Sequence, residues 1–142
     1  MILIDTSGLL AAVDGRQRLH AAAAESLARA TGPRHLSPFV LAELDYLIAT
    51  RVGRHGQLAL LAEVEASAYR LETFGADDVN AAREVLERYA DLDIGLADAS
   101  IVVLAERHDT GDVLTLDERH FRALRWKGRR RFTLLPADAS GT

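Results

Sequence analysis

The chain opens on Met1-Ile2-Leu3-Ile4, an apolar run with no alternation, and turns polar at Asp5-Thr6-Ser7-Gly8. A strand exposed on one face alternates apolar and polar residues, whereas a strand covered on both faces does not. The run therefore predicts a buried strand of a parallel sheet. Arg34–Ser37, Tyr69–Phe74, Asp112–Leu116 and Phe132–Leu135 read as four further strands. Helical stretches separate them. Gly8–Val13 is capped by Thr6 or Ser7, and alanine-rich Leu19–Ala30 is stopped by Thr31-Gly32-Pro33. Pro38 opens a helix with Val40, Leu41, Leu44, Leu47 and Ile48 on one stripe, and Gly53 and Gly56 bracket a turn into a helix carrying Leu60, Leu61 and Val64. Asp77 or Asp78 caps another. Gly95–His108 contains the almost wholly apolar segment Ala99–Ala105, which predicts a helix buried on most sides. Alternating strands and helices joined by short turns specify an α/β domain with a parallel sheet. Its 142 residues suit one domain, expected over residues 1–136 with 137–142 as a flexible tail.

Absences narrow the chemistry. With no cysteine, disulfide scaffolds, cysteine–zinc centres and thiol nucleophiles are excluded. No stretch reaches the roughly 20 apolar residues that cross a bilayer, and Asp5 interrupts an N-terminal run that no basic residue precedes. A cytoplasmic location is expected, with no membrane partner. The five histidines show no paired spacing suited to zinc. Gly53–Gly56 lacks the lysine of a phosphate loop, and no Gly-x-Ser-x-Gly elbow is present. The only lysine, Lys127, precedes the last strand, which argues against a phosphotransfer receiver; Ser7 stands where a haloacid-dehalogenase-like phosphatase needs a second aspartate.

Four acids are the candidate catalytic residues. Asp5 follows the first strand, Asp117 follows the fourth, Asp98 opens the most apolar helix, and Glu43 borders the stripe of the helix after the second strand. Singly, Asp98 and Asp117 also suit helix N-termini, and Glu43 a half-solvated flank. Together they gain meaning, because ligands of open α/β sheets bind beyond the carboxyl ends of strands where strand order reverses. Crowded, buried carboxylates repel one another and hold their protons unless cations neutralise them. Hard divalent ions such as Mg2+ or Mn2+ do this with oxygen ligands, and they serve phosphodiester hydrolysis.

The net charge is −4, yet Arg119, Arg122, Arg125, Lys127, Arg129, Arg130 and Arg131 follow one another with no acid between them. Guanidinium groups pair with phosphate through two parallel hydrogen bonds, so this run is a candidate grip for RNA, although a solvated face has the same composition.

In their order and spacing, Ile4-Asp5-Thr6-Ser7-Gly8, Ala42-Glu43-Leu44, Leu96-Ala97-Asp98-Ala99-Ser100-Ile101 and Leu114-Thr115-Leu116-Asp117-Glu118-Arg119-His120-Phe121 resemble the PIN-domain nucleases, and more closely the VapC-type toxins of toxin–antitoxin pairs. The resemblance runs from Ile2 to about Pro136 and implies a parallel sheet of order 3-2-1-4-5. It implies that Asp5, Asp98 and Asp117 bind Mg2+ or Mn2+, that Glu43 ligates directly or through water, and that Thr6 and Thr115 support them. It further implies endonucleolytic RNA cleavage, a homodimer and a cognate VapB-type antitoxin. A catalytically silent PIN fold that binds RNA or protein is the alternative.

Overall fold

The computed structural model describes residues 1–140. The chain runs β1 (Ile2–Ile4), α1 (Thr6–Val13), α2 (His20–Arg29), β2 (Arg34–Leu36), α3 (Pro38–Arg51), α4 (Arg54–Glu65), β3 (Arg70–Leu71), α5 (Ala76–Arg88), α6 (Leu96–His108), β4 (Asp112–Leu114), α7 (Glu118–Phe121), β5 (Arg125–Trp126), β6 (Arg130–Arg131) and β7 (Thr133–Leu135). Five strands form one parallel sheet in the order β3-β2-β1-β4-β7. Leu3 is in register with His35 on one side and with Val113 on the other. The apolar opening run is thus the centre of the sheet, and Ile2, Leu3 and Ile4 are almost fully buried. From β1 the chain winds outward through β2 and β3, then returns across the sheet to β4 and β7. Strand order reverses between β1 and β4, which opens the crevice in which such sheets bind ligands.

The expected sheet order holds, with β7 as its fifth strand. All four strands expected after the first are shorter as paired segments, but two ladders continue: the Glu72 amide donates to the Leu36 carbonyl and the Thr115 amide to the Leu135 carbonyl. Between α7 and β7 lies the unexpected antiparallel hairpin β5–β6. Lys127 and Gly128 at its turn have φ of 47° and 81°, the left-handed conformation that tight hairpin turns require. Phe132 precedes β7 and meets Phe121 edge-to-face.

Helix boundaries differ locally. The first helix begins at Thr6 rather than Gly8, because Asp5 stays extended while its carbonyl accepts the Leu9 amide. Only Gly53, at φ 117°, makes the turn between α3 and α4; Gly56 lies within α4. The fifth helix is preceded by Gly75, whose amide donates to Asp78. Of the expected tail, residues 137–140 are described, and Asp138 accepts from the Leu134 amide and the Arg122 guanidinium; residues 141–142 lie outside the described residues. Among the described residues, no helix is long and apolar enough to cross a membrane.

Candidate active site

The ends of β1 and β4 supply the floor of an open cleft of about 370 Å³, lined by Asp5, Thr6, Ser7, Leu10, Glu43, Leu47, Arg51, Asp98, Asp117 and His120. The structure thus gathers Asp5, Glu43, Asp98 and Asp117 from four separate elements. Asp93, near Asp98 in sequence, is exposed and outside the lining.

Each carboxylate is aimed by its local chain. Asp5 stands at the N-cap position of α1 but does not cap it. Its Oδ2 instead accepts from the Thr115 hydroxyl at 2.6 Å and the Ser7 hydroxyl at 3.0 Å. Thr115 also accepts the Asp117 amide at 2.9 Å, so one buried hydroxyl ties two acids on neighbouring strands. Thr6 donates to Glu43 Oε1 at 2.7 Å, joining α1 to α3. Asp98 accepts the Gly95 amide at 3.1 Å, a terminal amide that no residue within the helix serves. Asp117 caps α7 through the His120 amide, and its other oxygen meets His120 Nδ1 at 2.7 Å. The helix-cap reading of Asp98 and Asp117 therefore holds, and the same carboxylates line the cleft.

Four carboxylates outnumber the two basic side chains of the cleft, Arg51 and His120. Burial, opposed by the Thr115 hydrogen bond and assisted by the Asp98 charge, raises the Asp5 carboxyl from 3.8 to about 6. Asp98 is also raised, chiefly by burial and then by the charges of Asp117 and Glu43. Among the described residues, no lysine or arginine forms an ion pair with any of the four acids. Four clustered carboxylates, with Asp5 buried, Asp98 and Asp117 half-buried and Glu43 exposed, are the donor set of a hard divalent cation. Thr115→Val is expected to raise the Asp5 carboxyl further, because the hydroxyl favours its charged form. A carboxyl 13C titration reads this, and an unchanged Asp5 midpoint contradicts the assigned contact.

Ser7, His120 and Arg51 are site residues that the motif reading missed or set aside. Ser7 was visible beside Asp5 but read as a helix cap. His120 Nε2 is buried and without a hydrogen-bond partner, and its ring lines the cleft. Arg51, at the end of α3, carries no sequence signal for this place.

The basic run is dispersed. Arg122 pairs with Glu118 and Asp138, Arg125 donates to the carbonyls of Arg122, Ala123 and Leu124, and Arg130 lies over the Trp126 ring. Arg119 and Arg129 are exposed and make no ion pair among the described residues.

The PIN domain family matches residues 2–127. Ribonuclease VapC26 of Mycobacterium tuberculosis is 47% identical over 135 residues, covering 95% of this chain and all of that protein. Three solved structures share the fold. The M. tuberculosis VapC20 toxin, described as cleaving the sarcin–ricin loop, matches with a TM-score of 0.77 at 24% identity over 82% of this chain and 90% of its own. Rickettsia felis VapBC2, bound to promoter DNA, gives 0.64 at 21% identity over 94% and 97%. Neisseria gonorrhoeae FitAcB gives 0.56 at 20% identity over 83% and 88%.

Proposed function

The chain belongs to the PIN-domain family, and we propose that it is a VapC-type endoribonuclease, the toxin of a toxin–antitoxin pair, hydrolysing RNA phosphodiesters at the four-carboxylate cleft. The observation that carries the reading is the convergence of Asp5, Glu43, Asp98 and Asp117 on one crevice with no lysine or arginine among the described residues paired to them. Asp5, Asp98 and Asp117 would hold Mg2+ or Mn2+, with Glu43 as a direct or water-bridged ligand. Such an ion supplies water activation and charge neutralisation at a phosphodiester.

The chain's own groups have distinct tasks. Thr115 and Ser7 keep Asp5 charged and pointed into the cleft, and Thr6 restrains Glu43. His120 holds Asp117, so that carboxylate keeps one orientation. Arg119, two residues beyond Asp117, and Arg129 are free to meet backbone phosphates. Support for a protein partner is the exposure of Tyr46, Val52, Leu58 and Leu61 on α3 and α4. Apolar surface of this kind suits a VapB-type antitoxin or a second copy of the chain.

End-labelled total RNA separates enzyme from silent module. The purified protein is expected to yield discrete fragments that Asp98→Asn does not, while both proteins retain RNA in a filter-binding assay. Intact RNA, bound equally by both, overturns the enzyme reading in favour of the module.

A further inference from the structure

His35, Glu72 and His108 lie 37 and 36 residues apart in the chain, yet their side chains meet at the β2–β3 edge of the sheet. One potential ligand atom from each falls within 4.8 Å of the other two. His35 points from β2, Glu72 follows β3, and His108 closes α6. Asp98 lies in the first turn of the same helix, and ten residues of α-helix span about 15 Å, so this cluster is separate from the carboxylate cleft.

We propose that His35, Glu72 and His108 form a second metal site, selective for a borderline divalent cation of the Zn2+ type. His35 Nδ1 lies 3.2 Å from Glu72 Oε2. Two ligands on one tetrahedral ion, each at about 2.0–2.1 Å, stand about 3.4 Å apart. His108 Nε2 contacts the other oxygen of the same carboxylate. The two imidazoles stack at 3.7 Å with planes 12° apart, so an ion lying in both ring planes requires the partly exposed His108 ring to turn out of this stack. His35 Nε2 has no partner, so the ring's polar anchorage lies on the Glu72 side. Arg107 also reaches Glu72, at 3.3 Å, but it is held independently by Asp78 and the Thr73 carbonyl and need not compete for the carboxylate. His108 is 21% exposed, which gives an ion a route from solvent.

Ligand chemistry separates the two sites. Two imidazoles and one carboxylate favour Zn2+ or Co2+ over Mg2+, whereas the oxygen-only cleft favours Mg2+ or Mn2+. Bound there, an ion ties both outer strands of this edge to the helix that carries Asp98. Histidine spacing gave no hint of it, because each ligand comes from a different element.

The test uses the full chain carrying Asp98→Asn and Asp117→Asn, which disables the carboxylate cleft. At pH 7.5 this protein is expected to bind one Zn2+ saturably in a calorimetric titration, with a raised Tm that Mg2+ does not reproduce. Co2+ is expected to give the intense visible bands of a tetrahedral site, a measurement that needs no cluster variant. Adding His108→Gln or Glu72→Gln is expected to weaken Zn2+ binding by at least about 10-fold, with the far-ultraviolet circular dichroism unchanged. Absence of saturable Zn2+ binding, or binding that both cluster variants leave intact, overturns the proposal and leaves a hydrogen-bonded His–Glu–His link. Zn2+ binding that appears only with the carboxylate cleft intact overturns it equally.

Discussion

Asp5→Asn is expected to cost at least about 10²-fold in RNA cleavage while making the metal-free protein more stable at neutral pH. The two effects have one cause. Burial raises the Asp5 carboxyl from 3.8 to about 6, so the folded chain binds this proton more tightly than the unfolded chain. The stability this contributes is fully present below about pH 4 and is lost as pH rises through 6. Measured from the unfolded carboxylate, the ionised group costs the metal-free fold up to about 3 kcal/mol at pH 7. Asparagine removes that charge and keeps an oxygen for Thr115 and Ser7. Chemical denaturation in EDTA should show the variant ahead by about 1–3 kcal/mol at pH 7, with the gap closing near pH 4. Saturating Mn2+ should reverse the order, because the wild type then gains binding energy that the variant lacks. A variant less stable than wild type in EDTA at both pH values would refute burial as the source of the raised pKa.

Gly8→Ala should damage the fold severely. A Cβ at Gly8 would lie 2.2 Å from the Leu114 carbonyl oxygen, 2.4 Å from its carbon and 2.7 Å from the Thr115 nitrogen. All three are backbone atoms of β4 or its end, and no rotamer change moves them aside. Alanine gains about 1 kcal/mol of helix propensity, which is too little to offset forcing α1 off the sheet. A loss of about 3 kcal/mol or more is expected, as a shifted denaturation midpoint or failure to fold. The close approach is also what lets Ser7 accept the Leu116 amide and donate to Asp5. Gly15→Ala is the control: nothing lies within 4 Å of its Cβ, and near-wild-type stability is expected.

The legible and illegible parts of the molecule differ in physical kind. A doubly covered strand leaves an unbroken apolar run, so β1 could be read as a buried strand from four residues, while its central place followed from the resemblance. Asp5, Asp98 and Asp117 sit at element boundaries, where chain geometry alone directs side chains to one end of the sheet. Glu43 showed itself only as an acid beside an apolar stripe. The hairpin β5–β6 was not legible, because strands of two residues have no period to detect. Its marker was Lys127-Gly128 beside Trp126, which packs so closely on Gly111 that a Cβ there would lie 2.3 Å from the indole nitrogen.

The arginine run misled for a different reason. Read linearly, it has no acids among its members and suggests one continuous phosphate grip. Folding supplies Arg122 with Asp138 and Lys127 with Asp109, acids that lie outside the run in sequence. Local composition therefore overstated the free positive charge, and Arg119 and Arg129 remain exposed. The His35–Glu72–His108 cluster was illegible on the same principle. A site assembled from three remote elements leaves no spacing for a motif to capture.

The most direct measurement is the rate of cleavage of labelled RNA by metal-stripped protein, with EDTA, with Mg2+ and with Mn2+, beside Glu43→Gln and Asp117→Asn. A carboxylate cleft that works through a divalent ion predicts no cutting in EDTA and recovery on adding Mg2+ or Mn2+. It also predicts a loss of about 10²-fold or more in each variant at saturating metal. Cutting that persists in EDTA, or that survives both substitutions, would contradict the account at its centre.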